Sequence, residues 1–178
     1  MSDSSAYVKR VDDNKSNLER ILGFIPQYHG YQSKEKLRES DRLVREEVSR
    51  RLGVALQRTE DSFNELARQG KDAARFQSVR LRMDSIREGI RHAPYGFAGM
   101  FDPVKVKEPE LQALIDFDAS LLGEGQKVED KAGELSSAVM SGAPDADLQK
   151  AVGELGQMLV ELESTFTQRK SAMLRLPV

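Results

Sequence analysis

Both histidines of this chain sit among tyrosines and glycines, in Tyr28-His29-Gly30-Tyr31 and in the longer His92-Ala93-Pro94-Tyr95-Gly96-Phe97-Ala98-Gly99-Met100-Phe101-Asp102. Imidazole changes charge near neutrality and is the commonest metal ligand, so chemistry is sought first at these two places. Neither histidine belongs to a Glu-x-x-His motif and no His-x-x-x-His occurs, so a carboxylate-bridged di-metal bundle has no ligand set here. The chain has no Cys, which excludes thiolate metal sites and cysteine nucleophiles. No Gly-x-Ser-x-Gly or phosphate-binding loop is present, and Gly96-x-x-Gly99 lacks the strand and helix that a nucleotide site requires. The reading expects no catalytic residue, no metal and no cofactor.

What remains suits binding. Aromatic side chains on a loop supply contact area at low entropic cost. Arg80 and Arg87 are seven apart and Arg91 follows four later, so on a helix the three share one side and lead towards the second aromatic segment. Such a row fits an acidic partner helix or an anionic ligand. The candidate binding residues are therefore Tyr28, His29, Tyr31, Arg80, Arg87, Arg91, His92, Tyr95, Phe97, Phe101 and Asp102. A packing role stands beside this one, in which Tyr95, Phe97, Met100 and Phe101 plug the open end of a bundle and the glycines let backbones approach. Asp116 and Asp118 flank Phe117, with Asp118 close to the stripe of Ile115 and Leu122. An inward Asp118 needs a partner such as an arginine of the basic half, as a structural ion pair.

Long helices must position these groups. Leu148, Val152, Leu155, Leu159, Leu162, Phe166 and Met173 form a ladder spaced four and three, with Arg169 at the one skipped rung. Only an α-helix keeps that spacing on one face. Phe76, Val79, Met83, Ile86 and Ile90 repeat the pattern. A third stripe, Leu37, Val44, Val48, Leu52, Ala55 or Leu56, Phe63 and Leu66, predicts a helix over 34–69, stopped by Gly70 and followed by Asp72 as a cap. The alternative is one continuous helix to Arg91 with a weak point at the glycine. Pro109 suits the first turn of the next helix, which runs to Ser141-Gly142, and Pro144-Asp145 opens the last. Ahead of all these, Leu18, Ile21, Leu22 and Ile25 mark a short amphipathic helix that Pro26 ends. The fold class expected is all-α: an up-and-down bundle or elongated antiparallel coiled coil of four principal helices plus a short leading helix. Residues 1–13 read as a flexible leader and 14–178 as a single helical domain.

Charge narrows the partners. Residues 1–91 carry 19 Lys and Arg against 15 Asp and Glu, and residues 92–178 carry 8 against 14, so the halves stand at +4 and −6 within a net −2. The bland reading pairs the halves inside the bundle. Acidic residues interleave the basic stretch (Glu35, Glu39, Asp41, Glu46, Glu47), which leaves little unopposed charge for phosphates, so no nucleic acid is expected. No apolar run reaches the roughly 18 residues of a membrane span. The first fifteen residues lack an apolar signal core. The expected location is cytoplasmic, at most peripheral to the membrane.

The run Ile25-Pro26-Gln27-Tyr28-His29-Gly30-Tyr31-Gln32-Ser33-Lys34-Glu35-Lys36-Leu37-Arg38-Glu39-Ser40-Asp41-Arg42 resembles the opening signature of a family of uncharacterised bacterial helical proteins. In that family an Ile-Pro-x-Tyr-x-Gly-Tyr loop leads into a Lys-Glu-x-x-Arg-Glu-x-Asp helix. Tyr95-Gly96-Phe97-Ala98-Gly99-Met100-Phe101-Asp102 resembles a second signature of the family, and the likeness covers roughly residues 18 to 122. The resemblance carries no activity. It implies that the two loops and the start of the long helix belong to one structural or binding feature.

Taken together, the residues lead to a non-enzymatic interaction or scaffold protein that binds a protein partner, or a second copy of itself, through its aromatic loops. The alternative is a peripheral module on anionic membranes that uses Leu18, Ile21, Leu22 and Ile25. A bundle enzyme or metal-binding protein comes third.

Overall fold

The computed structural model describes residues 17–30, 34–93 and 108–174, and all regular structure among them is helical. A helix α1 includes residues 17–24 among those described. Four long helices follow: α2 Lys34–Arg68, α3 Ala74–Arg91, α4 Glu108–Met140 and α5 Asp145–Leu174. The leader expected over residues 1–13 lies outside the described residues.

Two glycines decide where the long helices stop. At the end of α2, Gly70 takes a left-handed φ of 69°. The Lys71 amide then donates to the Leu66 carbonyl at 3.0 Å and the Gly70 amide to Ala67 at 3.1 Å. Gly142 repeats this after α4 with φ 73°, Ala143 donating to Ala138 at 3.0 Å and Gly142 to Val139 at 3.1 Å. Both are Schellman stops, which satisfy end carbonyls that a helix leaves open. Asp72 restarts the chain by accepting the Ala74 amide at 3.0 Å. The helix therefore turns at Gly70 and does not run on to Arg91.

The described residues divide into two compact units built from interleaved segments. Among the described residues the first draws on 17–30, 34–47, 108–122 and 165–174, the second on 48–93 and 123–164. Helices α2, α4 and α5 contribute to both, so no single cut in the sequence separates them.

In the second unit the α2–α3 and α4–α5 hairpins lie side by side. Arg80 of α3 faces Glu60 of α2 at 3.4 Å, and Lys131 of α4 faces Glu154 of α5 at 2.6 Å. Between hairpins, Arg51 of α2 meets Glu129 of α4 at 3.0 Å, and Arg82 of α3 meets Glu163 of α5 at 2.9 Å. Lys71 reaches Asp145 at 2.9 Å. These last three pairs join the basic half of the chain to the acidic half.

Glycines form the seam between the hairpins. A Cβ on Gly125 would meet Val48 and Arg51 at 3.7 Å, one on Gly133 would come within 2.8 Å of Arg58 Nη1, and one on Gly156 within 3.5 Å of Val79. Arg58 uses the space to donate to the Glu129 carbonyl at 3.0 Å. A mid-helix glycine costs roughly 0.5–1 kcal/mol; at Gly133 it makes room for the Arg58 guanidinium, while at Gly125 and Gly156 a Cβ would stand at ordinary contact distance. Inside, Leu52, Ala55, Phe76, Met83, Ile90, Val128, Leu135, Val152, Leu155 and Leu159 are all fully or almost fully buried, with the hydroxyls of Thr59 and Ser62 buried against their own helix. Ala55, the smaller of two neighbouring candidates, takes the inward position, and Leu56 is half-buried.

Candidate functional site

In the first unit, buried charged side chains from three helices meet one another. At one level α2, α4 and α5 bring Leu37, Leu114 and Met173 together as an apolar cluster. One turn along each helix, at Asp41, Asp118 and Arg169, the ladder turns ionic. Arg169 is 1% exposed and Asp118 fully buried. Arg169 Nε donates to Asp118 Oδ1 at 2.6 Å and its Nη1 to Asp41 Oδ1 at 2.6 Å. The same Nη1 also lies 3.0 Å from Met173 Sδ. Arg45 Nε donates to the other oxygen of Asp41 at 2.9 Å. These bonds set two carboxylates against two guanidiniums. A buried ion survives only when paired and hydrogen-bonded in this way.

The fifth member arrives from outside the ladder. Pro26 ends α1, and the chain turns Tyr28 inward, where its hydroxyl donates to Asp118 Oδ2 at 2.9 Å. Gly30 holds φ 67°, a conformation that side chains resist. The Ser40 hydroxyl secures the loop by donating to the Gly30 carbonyl at 3.0 Å. Asn17 of α1 donates to Asp116 Oδ1 at 2.9 Å. Within this run Pro26, Tyr28, Gly30, Ser40 and Asp41 are the parts that build or secure the layer.

The expected binding residues separate on this framework. Tyr28 is buried, because its hydroxyl has a carboxylate to reach inside; it presents no aromatic surface. His29 is exposed. Close by, a hydrogen bond from Arg42 at 2.6 Å holds the Glu39 carboxyl below its ordinary range, and His29 adds a smaller effect of the same sign. The arginine row belongs to the second unit, and acids engage all of it. Arg80 pairs with Glu60 at 3.4 Å, Arg87 with Glu88 at 3.4 Å and Asp84 at 3.8 Å, and Arg91 with Glu88 at 3.9 Å. His92 Nε2 lies 3.0 Å from the same Glu88. Arg87 also lies across the bare backbone of Gly53, where a Cβ would stand 3.4 Å from its Nε. Tyr31, Tyr95, Phe97, Phe101 and Asp102 lie outside the described residues.

The sequence reading missed Asp41, Arg45 and Arg169 as members of one constellation. Its two signals were the skipped rung at Arg169 and Asp118 beside an apolar stripe. Asp118 does turn inward, but it pairs with Arg169 of the acidic half, whereas an arginine of the basic half was expected. Asp41 and Arg45, which look like an ordinary surface pair four apart, are both buried.

On the surface, Leu18 and Leu22 of α1 are each 37% exposed, while Ile21 and Ile25 of the same stripe are buried. A cleft of about 130 Å³ lies between the two turns of the second unit, lined by Leu66, Lys71, Asp72, Asp145, Leu148 and Gln149. That is well below the roughly 300 Å³ at which small-molecule sites begin. Among the described residues no group of three or more His, Asp or Glu is placed to hold a metal ion, and no helix is long and apolar enough to cross a membrane. Compared with family models, curated proteins and solved structures, the chain matches none.

Proposed function

We propose that this protein is a non-enzymatic helical framework that binds a protein partner, and that the outer face of α1 belongs to the contact. The observation that carries this reading is the division of the α1 stripe. Ile21 and Ile25 anchor the helix inward, and Leu18 and Leu22, four apart, keep an apolar edge in solvent. Paired apolar positions of this kind are what a groove or helix of another protein engages. The buried ionic layer supports the same reading, since its members bond one another and hold the loop that fixes α1. With two of its four apolar residues used internally, the α1 stripe is a smaller resource for a membrane surface than for a protein groove. The aromatic segment 95–102 remains the second candidate contact. A cytoplasmic setting suits a chain without cysteine.

The experiment is photo-crosslinking in cells, with the probe at Gln27, comparing wild type, a Leu18→Glu/Leu22→Glu variant and a Tyr95→Ala/Phe97→Ala variant. Exposed leucines tolerate glutamate without unfolding the chain, which circular dichroism checks. The reading expects a defined adduct that the α1 variant loses. Identical adducts from all three proteins would overturn it.

A further inference from the structure

We infer that the cleft between the two turns of the second unit is a socket for one basic side chain, a lysine or arginine of a protein partner. The socket is built from residues that α1 does not supply. It rests on the protein-partner reading only for the molecule to which that side chain belongs.

The cleft follows from how the hairpins turn. In a Schellman stop, the residue after the glycine commonly lays an apolar side chain on the residue five before it. At Gly70 that pair is Lys71 and Leu66, joined by the 3.0 Å bond from the Lys71 amide to the Leu66 carbonyl. The side chain at 71 is a lysine, and its ammonium reaches across to Asp145 at 2.9 Å. On the other side Asp145, Leu148 and Gln149 stand three and four apart in the first turns of α5, so they share a face. Gln149 Nε2 donates to the Asp72 main-chain carbonyl at 3.3 Å and ties the two turns together. The space these six residues line is about 130 Å³, with apolar lining from Leu66 and Leu148. A cavity of roughly 150 Å³ takes up one benzene ring, so the cleft has the size for a single side chain.

Charge selects the occupant. Two carboxylates, Asp72 and Asp145, line the cleft against one cation, Lys71. Asp72 uses one oxygen on the Ala74 amide and Asp145 one on Lys71, which leaves each a second oxygen for a further donor. Gln149 spends its amide nitrogen on Asp72 and keeps its side-chain oxygen as a third acceptor. Arg75 donates to the Gln149 main-chain carbonyl at 3.3 Å and does not line the cleft. An anion would meet both carboxylates, with Asp147 in the same helical turn as Asp145. A wholly apolar group would strip water from the acceptors and give nothing back. An alkyl stem against Leu66 and Leu148 that ends in a cation at the carboxylates suits both parts of the lining. The Asp145 side chain is 67% exposed, so a cation arriving from solvent reaches it. Lys71 is then the internal competitor, because it already holds the same carboxylate.

An NMR titration of the full chain tests this, reading the Gln149 side-chain amide and the Leu66 and Leu148 methyl groups. The probes are lysine and arginine capped as N-acetyl N-methylamides, with capped norleucine, capped glutamate and n-butylammonium beside them. Capped lysine or arginine should give saturating shifts at these three residues at millimolar concentration, and capped norleucine and glutamate none. Asp72→Asn/Asp145→Asn keeps the helix cap, since Asn caps as well as Asp, and should weaken binding about tenfold. Lys71→Ala should tighten it severalfold by removing the competitor. The socket is overturned by the absence of saturable shifts, by an equal response to capped norleucine, or by unchanged affinity in either variant. Binding of n-butylammonium without capped lysine or arginine would assign the cleft to a free amine and overturn the side-chain assignment. The α1 crosslink enters none of these measurements, so the socket and the α1 contact can each fail alone.

Discussion

Replacing Arg169 by methionine removes one cation from the layer and keeps nearly the same side-chain length. Asp41 retains Arg45, but Asp118, fully buried, loses its 2.6 Å partner and keeps the Tyr28 hydroxyl. Breaking a buried pair from one side costs about 3–5 kcal/mol, because the stranded charge stays desolvated. The expected loss is therefore near 4 kcal/mol, a large share of the roughly 5–15 kcal/mol that holds a typical domain together. For a chain of this length that lowers Tm by roughly 10 °C. Arg82→Met is the control. It breaks the Arg82–Glu163 pair, whose side chains are 45% and 52% exposed, and should cost no more than about 1 kcal/mol. Urea titrations of both variants and of Tyr28→Phe/Asp118→Leu/Arg169→Met supply the comparison. The triple variant trades the stranded ions for apolar contacts and should return to within about 1 kcal/mol of wild type. The reasoning is refuted if Arg169→Met costs no more than the control, or if the triple variant is as unstable as the single one.

Two glycines should respond in opposite directions to alanine. Gly70→Ala forces a side chain into a φ of 69° and should cost about 1–2 kcal/mol, whereas Gly89→Ala, where a Cβ meets nothing within 4 Å, should gain about 0.5–1 kcal/mol; thermal unfolding reads both. The Lys131 ammonium, bonded to Glu154 at 2.6 Å, holds that carboxyl below its ordinary range. A depressed folded value means the pair stabilises above the ordinary carboxylate range and is lost as pH falls through the lowered one. A carboxyl-carbon NMR titration should show Glu154 titrating low in wild type and returning to the ordinary range in Lys131→Met. Unchanged titration in the variant would remove Lys131 as the cause.

The helices were legible because their signal is periodic and local. The α5 ladder from Leu148 to Leu162 is buried as its spacing requires, and Gly70 with Asp72 marked the first turn. What escaped depends on residues far apart in sequence. Nothing near Tyr28 shows that its hydroxyl meets a carboxylate 90 residues on, so a loop tyrosine read as surface. Gly133 carries no signal of its own in the sequence, since only the neighbouring hairpin shows that Arg58 fills the space there. The arginine row had the right periodicity. Its acids Asp84 and Glu88 were visible in the same helix, but the distances that engage them required the fold.

The position of the ionic layer within the ladder explains why a leucine does not stand at 169. The α5 ladder repeats every seven residues, with Leu148, Leu155 and Leu162 on one row and Val152, Leu159, Phe166 and Met173 on the next. Apolar contacts of that kind survive a slip of one heptad almost unchanged, so they specify packing but barely specify register. Arg169 breaks the degeneracy. Sliding α5 by seven residues would set Leu162 against Asp41 and Asp118 and take the Arg169 guanidinium away from both buried carboxylates, at a cost of several kcal/mol. Tyr28 adds a second constraint, because its loop reaches Asp118 only where α4 stands in place. Stability and specificity should then come apart in the triple variant. With Tyr28→Phe, Asp118→Leu and Arg169→Met it keeps near wild-type stability, yet its amide spectrum should show doubled resonances for residues 165–173 as α5 samples a slipped register. A single sharp set of peaks there would show that the apolar ladder fixes register unaided.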